Sequence, residues 1–317
     1  MKITVLDADT LGRDLSLEPL REVGDVTIYN YSNTEEVKER IVDCDVVIIN
    51  KIKLNSSNLP FAKNLKLICI AATGYDNVGV EYCRNHNIGV CNVVGYSTNS
   101  VALLTVSMAL SLVTHLREYN DFVVSGEYTK SGIPNRLDPA FHELDGMTWG
   151  IIGLGNIGKK VARIAEAFGC HVLANKRTFE EGYNIVSLDE LIEKSDIISI
   201  HTPLTEQTKG LISAKRIAKM KKNAIVINVA RGAVCDEDAL ATAIKENKIG
   251  GIGIDVYSTE PFGTEHPFYE IKDRSNVLLT PHNAWGAYEA RKRCLYDIIE
   301  NIKSFYEGGK RSRVDIK

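Results

Sequence analysis

Three polar side chains of the 317-residue chain have types used in acid–base chemistry and follow late strands of a repeating pattern. Arg231, Glu260 and His282 each come just after the carboxyl end of a predicted strand. Ligands of open α/β sheets bind outside the carboxyl ends of the strands. We therefore expect the three side chains to share one crevice.

The chemistry of this set suits hydride exchange at a 2-keto acid. A guanidinium such as that of Arg231 can hold a carboxylate in a fork geometry that lysine cannot copy. An imidazolium at His282 can donate a proton to the carbonyl oxygen, which contributes ~10²–10⁴-fold to rate in general. The neighbouring carboxylate of Glu260 favours the protonated imidazole. Taken singly, each residue also fits a surface ion pair, an exposed loop acid or a capped loop position.

A glycine-rich turn supplies the sharpest local motif. Gly153, Gly155 and Gly158 follow a predicted strand and open a helix, with Asn156 and Ile157 between them. The first glycine permits the tight turn, the second lets a pyrophosphate approach the backbone, and the third lets the helix pack against the strand. The motif predicts a dinucleotide site, and a tight turn without a ligand is the alternative.

The second half of the dinucleotide motif, an acid about 20 residues on, is missing from its usual place. The following strand ends at Ala174–Thr178, where Lys176, Arg177 and Thr178 stand and no carboxylate does. Cations suit the 2′-phosphate of NADP(H), which an aspartate would repel. We therefore expect NADP(H) to be favoured over NAD(H), although two exposed basic residues on an NAD enzyme would look the same.

Two series of short β-branched strands alternate with helical patterns, which indicates an α/β fold of two doubly wound domains. The first series has five strands and the second has six: Ile3–Leu6, Val26–Tyr29, Val46–Ile49, Leu67–Ile70, Gly89–Asn92; Thr148–Gly153, His171–Asn175, Ile197–His201, Ala224–Val229, Gly251–Val256 and Asn276–Thr280. One long helix is predicted between the series, over Ser97–Tyr119. Another is predicted after them, over Ala287–Tyr306.

Composition excludes several classes of partner. The formal net charge is −3, so no basic excess points to nucleic acid or to a membrane surface. The seven cysteines form no CxxC pair and no cluster with histidines, which predicts reduced thiols, a cytoplasmic location and no metal site.

Over essentially its full length the chain resembles the D-isomer-specific 2-hydroxyacid dehydrogenases, and within them the hydroxypyruvate reductase and glycerate dehydrogenase branch. Five motifs carry the resemblance: GLGNIG (153–158), HTPLTEQTKGLI (201–212), NVARGAVCDEDAL (228–240), GIDVYSTEP (253–261) and TPHNAW (280–285). It implies a flavodoxin-like substrate-binding domain, residues 1–97 plus 286–317, and an inserted Rossmann NAD(P)-binding domain, residues 98–285. It also implies a homodimer packed through the cofactor domains.

The resemblance assigns roles by position. Arg231, Glu260 and His282 become the catalytic set, and Asp255 matches the acid that holds the nicotinamide carboxamide. The remaining positions are cofactor contacts, implied for Gly153, Gly155, Asn156, Ile157, Gly158, His201, Thr202, Pro203, Val229 and Ala230, and substrate contacts, implied for Thr73, Gly74, Tyr75 and Trp285.

The substrate stays open at this point. A small 2-keto acid, hydroxypyruvate or glyoxylate first, is the leading expectation, and D-lactate and aryl-lactate dehydrogenases are the alternatives within the family. A dinucleotide-sensing protein like the C-terminal binding protein corepressors shares the fold and the catalytic triad. The chain departs from the family at Leu103-Leu104, where many relatives have Glu-His.

Overall fold

The computed structural model describes residues 1–316, and the chain divides into two compact units. One unit is Met1–Ser97 with Trp285–Lys317, and the other is Thr98–Ala284. The second boundary lies one residue from the expected one, so that Trp285 falls in the first unit. Lys317, at the end of the expected range 286–317, lies outside the described residues.

The first unit contains a five-stranded parallel sheet with the order β2-β1-β3-β4-β5, the flavodoxin-like order. Its strands and helices are β1 (Lys2–Val5), β2 (Asp25–Ile28), α1 (Thr34–Arg40), β3 (Val46–Ile49), β4 (Leu67–Ile70), α2 (Val80–Asn85), β5 (Gly89–Cys91) and α10 (Tyr288–Tyr306). Every residue of β3 and β4 is buried, because helices cover both faces of a parallel sheet. The final helix α10 covers one face with an apolar stripe that includes Leu295, Ile298 and Ile302.

The second unit contains a six-stranded parallel sheet with the order β11-β10-β9-β8-β6-β7. Its elements are α3 (Thr98–Val113), α4 (Leu116–Val124), α5 (Glu127–Ser131), β6 (Thr148–Ile152), α6 (Asn156–Ala167), β7 (His171–Asn175), α7 (Leu188–Lys194), β8 (Ile197–Ile200), α8 (Ala214–Ile217), β9 (Ile225–Asn228), α9 (Glu237–Lys245), β10 (Gly251–Ile254) and β11 (Val277–Leu279). All eleven predicted strands are therefore present in the two sheets, and the α/β fold class is confirmed.

A further strand of the second sheet is reduced to one residue pair. Ala174 of β7 forms an isolated parallel bridge with Ile185. The bridge adds a one-residue strand at the outer edge beside β7. If the strands of this unit are numbered along the chain from β6 and the bridge is counted as the third, their order across the sheet is 3-2-1-4-5-6-7, which contains the doubly wound dinucleotide-binding order. The order reverses between β6 and β8, so the carboxyl ends of these two strands form the crevice in which such sheets bind their ligands.

The prediction of one helix over Ser97–Tyr119 is wrong. Helix α3 ends at Val113, and α4 starts at Leu116 after a bend of 63°. His115 at the break has φ of 51°, a left-handed conformation that ends a right-handed helix. Among the described residues no single helix has the length and apolarity to span a membrane, and only this bent pair passes by length and composition.

Candidate active site

The glycine-rich turn after β6 lies at the point where the strand order of the second sheet reverses. Gly153 has φ of 92°, and a Cβ at this position would stand 2.8 Å from the carbonyl carbon of His201 and from the amide nitrogen of Thr202. A Cβ at Gly158 would stand 2.3 Å from the carbonyl oxygen of Gly153. Both positions therefore require glycine, since backbone atoms fill the space that any side chain would need.

Gly155 shows the opposite environment, and this difference indicates where a ligand fits. Around its would-be Cβ, no atom of the described residues outside the immediate chain neighbours lies within 4 Å. The open space lies at the start of α6, whose first N–H groups have no partner within the helix. Asn156 beside it is exposed and Ile157 is half-buried. The turn fits a dinucleotide pyrophosphate, which needs backbone donors and no side chain in its path.

His201 follows β8 on the other side of the crevice and carries a buried atom without a partner. Its Nε2 lies 3.0 Å from Ser199 Oγ, which also accepts a hydrogen bond from Trp149 Nε1. Its Nδ1 is buried and has no hydrogen-bond partner among residues 1–316. Burial lowers the pKa of His201 to about 3, so the ring is neutral at physiological pH. A neutral ring with one unsatisfied nitrogen suits a hydrogen bond to a bound ligand.

The lysine predicted to select NADP(H) already has a carboxylate partner. Lys176 Nζ forms an ion pair with Glu180, and the other oxygen of that carboxylate pairs with Lys159 Nζ. The hydrogen bonds from these two lysines lower the pKa of Glu180 to about 2. Arg177 and Thr178 are exposed. No carboxylate stands among residues 174–178, but the loop that follows them places the carboxylate of Glu180 against Lys176.

Glu260 and His282 form the predicted pair. His282 Nδ1 lies 2.6 Å from Glu260 Oε2, and Glu260 Oε1 accepts a hydrogen bond of 2.9 Å from the backbone N–H of Tyr257. His282 has φ of 52°, an uncommon conformation for a residue with a side chain. Strained backbone of this kind concentrates at functional sites, where the surrounding contacts maintain it.

Those contacts include a buried carboxylate, that of Asp255. It accepts hydrogen bonds from Thr280 Oγ1 at 2.6 Å and from the backbone N–H groups of Asn283 and Ala284 at 2.9 and 3.0 Å. Burial raises the pKa of Asp255. These three hydrogen bonds hold the loop that carries His282, a structural role of Asp255 that sequence reasoning missed. The implied contact of Asp255 with a nicotinamide carboxamide stays a prediction.

The loop after β9 carries Arg231 and runs beside the loop that leads to Glu260. Arg231 Nη1 donates a hydrogen bond of 2.8 Å to the carbonyl oxygen of Ala230. Buried Asn228 accepts from the N–H of Ala230 and donates to the carbonyl oxygen of Arg231. A Cβ at Gly232 would stand 2.0 Å from the carbonyl carbon of Tyr257, so the two loops touch through their backbones. Asn228 was not predicted, and its one sequence signal is a polar residue closing an apolar strand.

A second histidine–carboxylate pair supports the Glu260 loop. The carboxylate of Glu237 accepts hydrogen bonds from the backbone N–H and the hydroxyl of Ser258, and it lies 3.2 Å from His266 Nε2. Both side chains of the pair are almost fully buried. This cluster holds the chain two residues before Glu260. No group of three or more His, Cys, Asp or Glu residues within 1–316 could hold a metal ion.

The remaining predicted cofactor residues follow the ends of strands. The carbonyl oxygen of Pro203 accepts a hydrogen bond of 2.6 Å from Thr208 Oγ1, which shapes the loop after β8. Thr202 is half-buried, and Val229 packs partly buried against the core beneath β6 and β9. These residues, like those of the glycine turn, lie at the carboxyl side of the second sheet.

The predicted substrate residues belong to the first unit. Thr73 follows β4, its hydroxyl donates to the carbonyl oxygen of Val93, and its own carbonyl oxygen accepts from Asn92. Tyr75 in the same loop is exposed. Trp285 lies against the core beneath α10, with its ring centroid 6.3 Å from that of Tyr96. The start of the loop Thr73–Tyr75 is thus held by the Val93 carbonyl oxygen and the Asn92 side chain, and Trp285 has a packing role whatever else it contacts.

Comparisons with known proteins show the family of this chain. The family model described as "D-isomer specific 2-hydroxyacid dehydrogenase, NAD binding domain" matches residues 106–284. A hydroxypyruvate reductase of Blautia hydrogenotrophica is 34% identical over 97% of this chain and 98% of its own length. A glycerate dehydrogenase of Methylorubrum extorquens is 36% identical over 86% of each chain. The predicted resemblance to this branch is confirmed.

Solved structures extend the likeness to the whole chain. A D-lactate dehydrogenase of Aquifex aeolicus, complexed with NAD and lactic acid, has a TM-score of 0.88 with 29% identity and covers 100% of both chains. An acyclic imino acid reductase (Bsp5), complexed with NADPH and D-Arg, has a TM-score of 0.85 with 30% identity and also covers 100% of both chains. This chain therefore belongs to the D-isomer specific 2-hydroxyacid dehydrogenases, oxidoreductases that act on a CH–OH group with a nicotinamide dinucleotide.

Proposed function

We propose that this enzyme reduces a small 2-keto acid, hydroxypyruvate or glyoxylate, to the D-2-hydroxy acid, with His282 as the general acid. The observation that carries the proposal is the 2.6 Å contact between His282 Nδ1 and Glu260 Oε2. The names of the relatives, hydroxypyruvate reductase and glycerate dehydrogenase, support the choice of substrate.

The proton follows from the geometry of the pair. Glu260 accepts the hydrogen bond of Nδ1–H and thereby assigns Nε2–H of His282 to the carbonyl oxygen of the substrate. A carboxylate beside the ring stabilises the imidazolium from which that proton comes. The dihydronicotinamide ring, when bound, supplies the hydride that reaches the carbonyl carbon. After the transfer His282 is neutral and the substrate carries both a new C–H and a new O–H bond.

The substrate carboxylate is assigned to donors of two kinds. The guanidinium of Arg231 would hold it by a forked pair of charge-assisted hydrogen bonds and polarise the adjacent carbonyl. Backbone N–H groups of Thr73, Gly74 and Tyr75 would bind it where the glycine permits close approach. Trp285 would limit the size of the substrate side chain.

We further propose that NADP(H) is favoured over NAD(H). Lys176 and Arg177, with Thr178, stand near the end of β7, where the motif otherwise has an acid that binds the adenosine ribose. A structural relative is complexed with NADPH, and another with NAD, so both dinucleotides occur among the relatives. A preference for NADH in the wild-type enzyme would contradict this proposal.

The deciding experiment follows NAD(P)H absorbance with hydroxypyruvate, glyoxylate, pyruvate and phenylpyruvate. Highest kcat/KM with the first two supports the proposal, whereas pyruvate or phenylpyruvate as the best substrate favours a D-lactate or aryl-lactate dehydrogenase. The His282→Ala variant should lose most turnover and still bind cofactor, with the exposed His171→Ala as its control. Retained activity in His282→Ala would show that another group is the acid. Cofactor binding without turnover of any keto acid would favour a dinucleotide-sensing protein.

We also propose a cytoplasmic homodimer that packs through the Thr98–Ala284 unit. An open groove of about 530 Å³ lies between α3 and the edge strand β11 and includes Leu104, Met108 and Leu279. Leu103 on the same helix is 66% exposed, an apolar side chain that a second copy would cover. The seven cysteines are unpaired and buried, as a reducing compartment allows. Light scattering on the wild type and on Leu103→Glu tests the dimer, which the charge should weaken.

A further inference from the structure

Two lysines from different elements converge on one glutamate beside the cofactor turn. Lys159 belongs to the first turn of α6, and Lys176 follows the last residue of β7. The carboxylate of Glu180 lies between their ammonium groups, with one oxygen on each. All three side chains are between 25% and 30% exposed, so water and a ligand can both reach them.

The position of Lys159 opposes the electrostatics of its own helix. Lys159 is the fourth residue of α6, whose first turn contains no acidic residue. The amino end of a helix carries partial positive charge, so cations there are destabilising unless an anion is near. Glu180 supplies that anion from a separate loop. The arrangement is therefore a built anion site that the chain fills with its own carboxylate.

We infer that Glu180 determines the choice between the two dinucleotides, because its carboxylate occupies the place that the 2′-phosphate of NADP(H) would take. A phosphate group must displace Glu180 from Lys159 and Lys176 before it can pair with them. The ribose 2′-hydroxyl of NAD(H) can instead donate a hydrogen bond to the carboxylate. Glu180 thus restrains the preference for NADP(H), and the inference rests on the cofactor preference proposed above.

The loop that carries Glu180 allows such a displacement. Phe179 next to it is 83% exposed, and the residue lies beyond the end of β7 rather than within it. The pKa of Glu180 is about 2, so the carboxylate stays charged throughout the pH range of an enzyme assay. Any pH dependence of the repulsion between pH 5 and 9 therefore comes from the phosphate group, whose second pKa is about 6, and not from Glu180.

Nucleotide binding without a keto acid tests the inference. Adenosine 2′,5′-bisphosphate and 5′-AMP are titrated by calorimetry, and NADPH and NADH by nicotinamide fluorescence, against wild type, Glu180→Gln and Glu180→Ala. Glu181→Gln, a neutralised neighbour on the same loop, is the matched control. Removal of the negative charge of Glu180 should tighten the binding of the bisphosphate and of NADPH by about tenfold and weaken that of NADH severalfold. Glu181→Gln should change the ratio of bisphosphate affinity to 5′-AMP affinity by less than twofold.

Three outcomes would overturn the assignment of Glu180. These are a ratio of bisphosphate to 5′-AMP affinity in both variants within twofold of wild type, weaker NADPH binding in the variants, and no binding of the bisphosphate to any variant. Lys159→Met provides a second arm, since loss of one ammonium group should weaken the bisphosphate and leave 5′-AMP unchanged. Failure of the keto acid panel would remove the proposed substrate and leave these binding ratios to decide on Glu180 alone.

Discussion

Replacement of Glu260 by glutamine removes the negative charge of the Glu260–His282 pair and preserves its shape. In the wild-type protein one carboxylate oxygen accepts the N–H of Tyr257 at 2.9 Å and the other faces His282 Nδ1 at 2.6 Å. A glutamine amide can keep the first hydrogen bond only through its oxygen. Its NH₂ group then faces Nδ1, which must accept rather than donate. The variant therefore holds a neutral imidazole with its proton on Nε2.

The size of the effect follows from the hydrogen bond that is lost. A hydrogen bond to a charged group contributes ~1.5–3 kcal/mol, which corresponds to a rate factor of roughly 10–150. His282 and Glu260 are 22% and 33% exposed, so solvent screening moves the expected effect toward the lower end. We expect kcat of Glu260→Gln to fall by about 10–50-fold.

The assay separates chemistry from binding. Measurement of kcat and KM with hydroxypyruvate at saturating cofactor should show the loss in kcat, and fluorescence titration should show cofactor affinity within twofold of wild type. Glu206→Gln, an exposed neutralisation in the same unit, serves as the control and should leave kcat unchanged. Glu260→Asp should fall between the two, since it retains the charge at a greater distance. A kcat of Glu260→Gln within threefold of wild type would refute the role of the carboxylate.

Three further predictions follow from the same contacts. Gly155→Val should weaken cofactor binding more than tenfold and leave the melting temperature nearly unchanged, because the valine side chain enters open space. Gly158→Ala should unfold at a lower temperature, because its Cβ would meet a backbone oxygen at 2.3 Å. Equal melting temperatures of the two variants would contradict this contrast. Glu237→Gln should lower kcat about 3–10-fold with little change in KM, because it loosens the Ser258 contact that holds the Glu260 loop, and Glu237→Asp should recover part of the loss; a change confined to KM would count against a positioning role. The raised pKa of Asp255 means that the native protein binds its proton more tightly than the unfolded chain does, so this carboxyl makes the free energy of unfolding fall as pH rises above 3.8. We expect urea unfolding between pH 4 and 7 to show that this contribution to the slope of the free energy of unfolding against pH is missing in Asp255→Asn. Identical slopes in wild type and variant would contradict the burial argument.

Local pattern predicted the regular elements well and their interruptions poorly. The strands are short, apolar and bounded by turn residues, so each was located to within a residue or two. The break at His115 was missed because an apolar helical pattern continues through it, and a left-handed residue in mid-pattern has no composition signal outside glycine and asparagine. The bridge at Ile185 was missed because a single paired residue has no period.

The electrostatic partners were the other part that sequence spacing could not supply. Lys176 was singled out as the basic residue near the predicted ribose position, but the sharing of the Glu180 carboxylate between Lys176 and Lys159 depends on where the loop after β7 meets α6. Asp255 was assigned to the cofactor, and the structure adds that it holds the backbone of Asn283 and Ala284. Side-chain partners of this kind are set by distances in space, which residue types and spacing do not specify.

The sequence by itself determined the class of the protein, two parallel α/β units of the D-isomer specific 2-hydroxyacid dehydrogenases, and it singled out a glycine-rich turn and a candidate set of arginine, glutamate and histidine. These features are local, since the residue types of a few consecutive positions are enough to identify a turn that needs glycine or a strand that must be buried. Tertiary structure alone decided how the set is held. The 2.6 Å approach of Glu260 to His282, the anchoring of their loops by Asp255 and Glu237, and the ion pair of Glu180 with Lys159 all join residues at least 21 positions apart in sequence. Such contacts arise because the carboxyl ends of neighbouring parallel strands meet at one edge of a sheet, and only the folded sheet specifies which side chains meet there.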